Sequence, residues 1–235
     1  MKIIFGNLKM NFLYRDFQNY IEEMRILMAK EPPKTLVGIA VPYIYLKEAA
    51  QKVGADIKVL AQDLHPADKG AFTSQISAAQ IASIEVPATL IGHSECRALS
   101  QNAIVITNKV RSALDQGLEV IYCCGKDPVN EVTEELKSLS EEDWKKVIIA
   151  YEPISAIGSG SAMDASTAAG ILRQIKDAIS MKWGAQTAST VRFLYGGSVN
   201  AKNYKTYLDE ANIDGVLVGG ASLKIEEFWD MATLK

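Results

Sequence analysis

Asn7, Lys9, His93, Glu95 and Glu152 have types and settings from which chemistry could be built. Lys9 lies in NLKMN, just past the apolar run KIIFGN and two residues after Asn7. His93, one of 2 histidines, follows the run ATLI in the string GHSEC, with Glu95 close behind it. Glu152 follows the run VIIAY, where a carboxylate beside buried strand is costly unless it is used or paired. Two glycine-bearing turns, Gly196-Gly197-Ser198 and Gly219-Gly220-Ala221-Ser222, close two further apolar runs. Glycine lets backbone N–H groups approach an anion, and a helix start adds unpaired donors, so these turns read as a phosphate cradle. A carboxylate base, a neutral imidazole, a lysine cation and a phosphate cradle suit proton abstraction α to the carbonyl of a small sugar phosphate. His93 and Lys9 would then be the electrophiles for the enediolate oxygens. Each group also has a plainer reading. Lysines are commonly solvated, a lone histidine is commonly structural, Glu152 could pair with a neighbouring lysine, and the glycines could serve tight turns that need positive φ. The second histidine, His65, falls in the polar string DLHPADKG.

These groups act together only if the chain brings them to one place. Short apolar, β-branched runs occur at 2–7, 36–41, 57–61, 88–91, 118–123, 146–151, 191–195 and 214–218. Their near-continuous hydrophobicity is that of parallel strands buried on both faces. Between them lie stretches of helical periodicity. In 14–30, Phe17, Tyr20, Ile21, Met24, Leu27 and Met28 share one face; in 164–183, Ala168, Ile171, Leu172, Ile175 and Ile179 do. The spacing predicts further helices over 100–116, 202–211 and 223–234, shorter ones over 44–53 and 77–84, and a polar one over 127–142. The units average about 29 residues, the size of a βα repeat. The fold class expected is therefore α/β, a (β/α)8 barrel of eight parallel strands with outer helices, filling residues 1–235 as one domain. All parallel strands point their C-terminal ends at one face, and every candidate group above lies just past such an end.

Composition narrows the class further. A net charge of −3, from 25 basic and 28 acidic residues, suggests no nucleic-acid partner. No apolar run approaches the roughly 18 residues of a membrane span, and the opening MKIIFGNLKMN does not read as a signal peptide. The 3 cysteines, Cys96, Cys123 and Cys124, lack metal-ligand spacing and are odd in number, so neither a zinc site nor a disulfide framework is expected, and the cytoplasm is the expected compartment.

The strings GNLKMN, AQDLHPADKGAFTSQIS, LIGHSECR, AYEPISAIGSGSA, LYGGSVN and DGVLVGGASL, in this order, carry a resemblance to triosephosphate isomerase that runs from end to end. Only the region from Lys126 to Lys145 fits poorly, and the span from Cys124 to Glu152 looks short by roughly three helical turns. The resemblance implies interconversion of dihydroxyacetone phosphate and D-glyceraldehyde 3-phosphate without metal or organic cofactor. In it Glu152 shuttles the proton between C1 and C2, and neutral His93 at a helix start polarises the carbonyl. Lys9 and Asn7 polarise the bound substrate, and Glu95 pairs with Lys9. The amides of Gly158, Gly219 and Gly220, with Ser198, hold the phosphate. Ile157 and Leu217 form an apolar clamp that excludes water from Glu152. The resemblance also implies a homodimer in which the 72–75 loop, with Phe72, Thr73 and Gln75, inserts near the partner's active site and meets the surface around Cys96.

Several positions depart from the family pattern. Ser155 stands where a tryptophan is usual, and Lys126 stands at the glutamate that this tryptophan meets in the lid. Ser161-Ala162-Met163 replaces Lys-Thr-Ala at the far hinge. Cys96 and Gln75 replace an arginine and a glutamate that pair across the dimer. These changes leave open an isomerase of a related tetrulose phosphate, or a sugar-phosphate-binding homologue with impaired catalysis. Retention of Asn7, Lys9, His93, Glu95, Glu152 and the phosphate turns speaks against the latter.

Overall fold

The computed structural model describes residues 1–99, 101–153 and 162–235. Eight parallel strands close into a barrel in sequence order: β1 (Ile3–Asn7), β2 (Leu36–Val41), β3 (Ile57–Ala61), β4 (Ala88–Ile91), β5 (Glu119–Cys124), β6 (Val147–Tyr151), β7 (Arg192–Tyr195) and β8 (Gly215–Val218). Closure is made by β1 against β8, where Ile3 pairs with Gly215 and Gly6 with Val218. The expected (β/α)8 architecture is observed.

Alternation along each strand explains why the runs look uniformly apolar. Ile3, Phe5, Leu60, Leu90, Ile121, Ile148, Leu194 and Leu217 form the cluster filling the barrel, while Ile4, Ile39, Val59, Ile91, Val120, Ile149 and Val216 pack outward beneath the helices. Both faces are dry, so both must be hydrophobic. Gly38 makes room inside: a Cβ there would lie 2.8 Å from both Phe5 and Leu60.

The outer layer comprises α1 (Tyr14–Lys30), α2 (Leu46–Lys52), α3 (Ala78–Ser83), α4 (Ser94–Arg97), α5 (Ala103–Asp115), α6 (Pro128–Glu135), α7 (Glu141–Trp144), α8 (Ala165–Trp183), α9 (Ala185–Thr190), α10 (Tyr204–Leu208) and α11 (Ile225–Ala232). The periodic faces of α1 and α8 are the buried ones, with Phe17, Tyr20, Ile21 and Met24 in the first and Leu172, Ile175 and Ile179 in the second. The stretch expected as one helix over 127–142 is two. Helix α6 stops after Glu135, and Ser140 restarts the chain through a reciprocal cap with Asp143, its hydroxyl accepting the Asp143 N–H at 3.2 Å. The restart drives Trp144 into the core, fully buried and edge-on to Trp183 at 5.0 Å. Helices α4 and α9 are too short to show periodicity; α4 begins at the helix start that the resemblance implied at His93, whereas no helix was expected at α9. Helix α9 begins anew after Gly184, whose φ of +92° ends α8.

Candidate active site

The strand ends bring the candidate groups to one mouth of the barrel, around a cavity of about 620 Å³ lined by Asn7, Lys9, His93, Glu152, Ser198, Leu217, Gly219 and Gly220 among others. Asn7 is the last residue of β1 and only 5% exposed. Its side-chain oxygen accepts the Lys9 N–H at 2.9 Å and holds Lys9 at φ +51°, a left-handed conformation that a lysine adopts only when held. The bend aims the lysine along the barrel mouth, where Nζ meets Glu95 Oε1 at 2.6 Å.

Gln62, directly after β3, completes this corner: its amide donates to the Lys9 carbonyl at 2.9 Å and the Ala40 carbonyl at 3.2 Å. It was not among the residues singled out from the sequence. Its place at a strand's C-terminal end was the signal that could have found it.

His93 follows β4 and caps α4. Its Nδ1 accepts the Glu95 backbone N–H at 3.2 Å, so that nitrogen carries no proton and the ring proton resides on Nε2. Nε2 faces Glu152, 3.2 Å from Oε1. Glu152 follows β6, where its own N–H donates to the Cys124 carbonyl at 2.8 Å. Oε2 accepts the Ser94 N–H at 3.1 Å. Both His93 and Glu152 are buried, at 6% and 3% exposure. Among the described residues no lysine pairs with Glu152, so the plainer reading of that carboxylate does not hold.

The glycines are not there for positive φ. None of Gly196, Gly197, Gly219 and Gly220 is among the residues with positive φ. Gly196 and Gly197 serve close approach: a Cβ at Gly196 would lie 2.8 Å from Glu152 Cγ, and one at Gly197 would overlap the Tyr195 hydroxyl. Around Gly220 there is open space, with nothing within 4 Å of where a Cβ would stand. Gly220 opens a 3-10 turn (Gly220–Leu223) whose first amides precede any intrahelical acceptor and lie on the cavity wall. The buried Ser222 hydroxyl ties this turn back to the Gly219 carbonyl at 2.7 Å and to the Asn7 carbonyl at 3.3 Å.

Leu217 is buried at the cavity wall, and Ser198 lines it while its carbonyl accepts Asn203 Nδ2 at 3.0 Å. Ile157, Gly158, Ser155 and Ser161 lie outside the described residues. Just beyond this stretch, the Met163 N–H donates to the Tyr195 hydroxyl at 3.2 Å and the Met163 carbonyl accepts the Tyr207 hydroxyl at 2.6 Å.

The remaining candidates lie away from the cavity. Phe72 is half-exposed with its ring 4.1 Å from the His65 ring, while Thr73 and Gln75 are exposed beside Ser74, which takes φ +75°. His65 Nδ1 accepts the Ala67 N–H at 3.1 Å, a structural use of that histidine. Cys96 is half-buried in α4, and burial, then the nearby Asp63 carboxylate, push its thiol up to about 12.

A base and a protonated imidazole nitrogen thus face one cavity, beside a lysine cation and the Gly219–Gly220 turn. The whole chain has relatives with this organisation of sequence. A family model described as triosephosphate isomerase matches residues 2–235. The triosephosphate isomerase of Neurospora crassa is 39% identical over 233 residues, covering 94% of this chain and 93% of that protein. Those of Cytophaga hutchinsonii and Flavobacterium johnsoniae are 36% and 35% identical, each covering 98% of both chains. This chain belongs to the triosephosphate isomerase family.

Proposed function

We propose that this chain, folded as one domain, interconverts dihydroxyacetone phosphate and D-glyceraldehyde 3-phosphate through an enediolate. The observation that carries the reading is the meeting of Glu152 and His93 Nε2 at 3.2 Å in a cavity that also holds Lys9 and the Gly219–Gly220 turn. The Glu152 carboxylate takes a proton from C1 of the ketose, and the C–H electron pair forms the C1–C2 double bond. The carbonyl π pair moves to the C2 oxygen, where His93 Nε2–H and the Lys9 ammonium stabilise it. The O1 hydroxyl proton passes by way of His93 to the C2 oxygen, the O1 electron pair forms the C1 carbonyl, and the double-bond pair takes the proton back from Glu152 at C2, which gives the aldose.

Glu152 Oε1 stands 3.2 Å from His93 Nε2, so base and electrophile face the same reacting atoms. The amides of Gly219 and Gly220, with Ser198 and Gly158, hold the phosphate, and Ile157 with Leu217 keeps water from Glu152. Asn7 and Glu95 act through Lys9, one by fixing its turn and the other by pairing its ammonium. Side chains and amides supply every step, so the scheme calls on no metal or organic cofactor.

We place the enzyme in the cytoplasm as a homodimer. Three free cysteines suit a reducing compartment, and among the described residues no helix is long and apolar enough to cross a membrane. Met10, Leu13, Ile44 and Leu99 are 97%, 78%, 80% and 81% exposed, an apolar surface that, with Phe72, Thr73, Gln75 and Cys96, suits a second copy. The test is a coupled assay with D-glyceraldehyde 3-phosphate beside tetrulose phosphates. The triose should turn over faster by kcat/KM; a tetrulose preference or no turnover on the triose overturns the reading.

A further inference from the structure

The end of β4 is held by a partly buried charge, Arg97, that the scheme above does not use. Gly92, the residue before His93, takes φ +77°, and its carbonyl accepts Arg97 Nε at 2.7 Å. Arg97 ends the same short helix that His93 caps, its N–H donating to the His93 carbonyl at 2.9 Å. The guanidinium then reaches two other elements. It meets Glu135 of α6 with both terminal nitrogens, at 2.8 and 2.9 Å, and donates to the Cys123 carbonyl of β5 at 2.9 Å. The Tyr122 hydroxyl donates to Glu135 Oε2 at 2.5 Å. Glu135 and Tyr122 are buried, at 5% and 0% exposure. A Cβ at position 92 would lie 2.9 Å from both the guanidinium and the Cys123 carbonyl oxygen, so Arg97 fills the space a side chain there would take.

A buried ion pair adds little net stability, because desolvation offsets most of the attraction. Orientation is what a planar bidentate fork supplies. Here the fork ties the peptide before His93 to β5 and α6, so the imidazole's position follows from the clamp. We propose that Glu135, acting through Arg97, is a positioning residue for His93, setting where Nε2–H meets the reacting oxygen. This rests on the isomerase reading for its catalytic consequence.

The test uses the full chain with two variants. Arg97→Met/Glu135→Leu removes both charges of the bidentate pair, while Glu131, 3.8 Å from the guanidinium, keeps the bonds it accepts from the Gly125, Lys126 and Asp127 N–H groups; Glu135→Gln keeps the shape and removes one charge. The chain has 2 histidines, so nitrogen NMR of their rings reads His93 directly, with His65 as internal reference. In the double variant kcat should fall ~10–100-fold with KM within ~3-fold, as for a displaced catalytic group. The His93 ring signals should move and the His65 signals should not. Should the double variant fail to fold, Glu135→Gln is read the same way, with a ~3–10-fold fall expected for partial displacement. A folded variant whose His93 signals are unchanged overturns the proposal, and so does unchanged kcat in an active enzyme. A wild-type chain without isomerase activity would sink the functional reading alone, because the ring signals report the clamp with no substrate present.

Discussion

Glu152 Oε1 and His93 Nε2 stand 3.2 Å apart, both buried, at a site where an unpaired carboxylate would be expensive. The Ser94 N–H holds the second carboxylate oxygen at 3.1 Å. Glu152→Gln preserves this shape, since an amide oxygen can still accept from Ser94, yet it removes the basic oxygen. Turnover should fall ~10³-fold or more with KM changed by less than ~3-fold, measured by steady-state kinetics in both directions. Near-normal turnover would remove Glu152 from the mechanism. Three of these residue-scale facts could be read ahead of the structure: the strand-end positions of Lys9, His93 and Glu152. The tautomer of His93 could not, because it depends on where a backbone N–H two residues on comes to lie.

Helix α7 shows how a polar stretch that fitted the family poorly is nonetheless built in. Arg111 on α5 forms a bidentate pair with Asp143 at 2.9 and 3.1 Å, and the same carboxylate accepts the Ser140 N–H at 3.0 Å. The Arg111 guanidinium, with the bonds from Ser140, holds the Asp143 carboxyl at about 2, below its ordinary value. A carboxyl depressed in the folded state adds stability above its unfolded pKa and loses it as pH falls toward the folded one. Asp143→Ala should therefore cost about 1 kcal/mol at pH 7, after allowance for solvent screening of the exposed arginine. The gap between wild type and variant should close between pH 4 and about 2, read by urea denaturation across that range. A gap that stays constant with pH would mean that the cap, rather than the charge, is what matters. The split of 127–142 into two helices was hidden in the sequence because Ser140 and Asp143 form a capping signal inside a run that is polar on all sides.

For the whole molecule the open question is assembly. The charged pair that spans the interface in the family is replaced at both ends, by Cys96 and Gln75, which leaves no orphaned charge to bury. Phe72 and Thr73 are retained, and in the proposed dimer the exposed Met10, Leu13, Ile44 and Leu99 would supply apolar area. Charged pairs chiefly steer encounter and set register, so the expected outcome is a homodimer weakened modestly. Diluting the protein should lower specific activity in step with dimer loss, followed by sedimentation alongside turnover. A fully active monomer at micromolar concentration would show that the 72–75 loop, already packed through Phe72 on its own His65, serves its own chain alone.

The alternation of apolar runs with helical stripes was enough to determine the barrel, because period and run length are local properties and eight such repeats have few other ways to bury both strand faces. The same rule placed Asn7, Lys9, His93, Glu95 and Glu152 on one face. Tertiary structure alone decided the rest. It decided that Gly196 and Gly197 are glycine for close approach to Glu152 and Tyr195 rather than for a turn. It brought Gln62 against the Lys9 corner and Glu135 against Arg97, residues 53 and 38 positions apart in the chain. Contacts of that kind have no period to read: a buried carboxylate or amide finds its partner across the barrel through packing, and the sequence carries only the two ends.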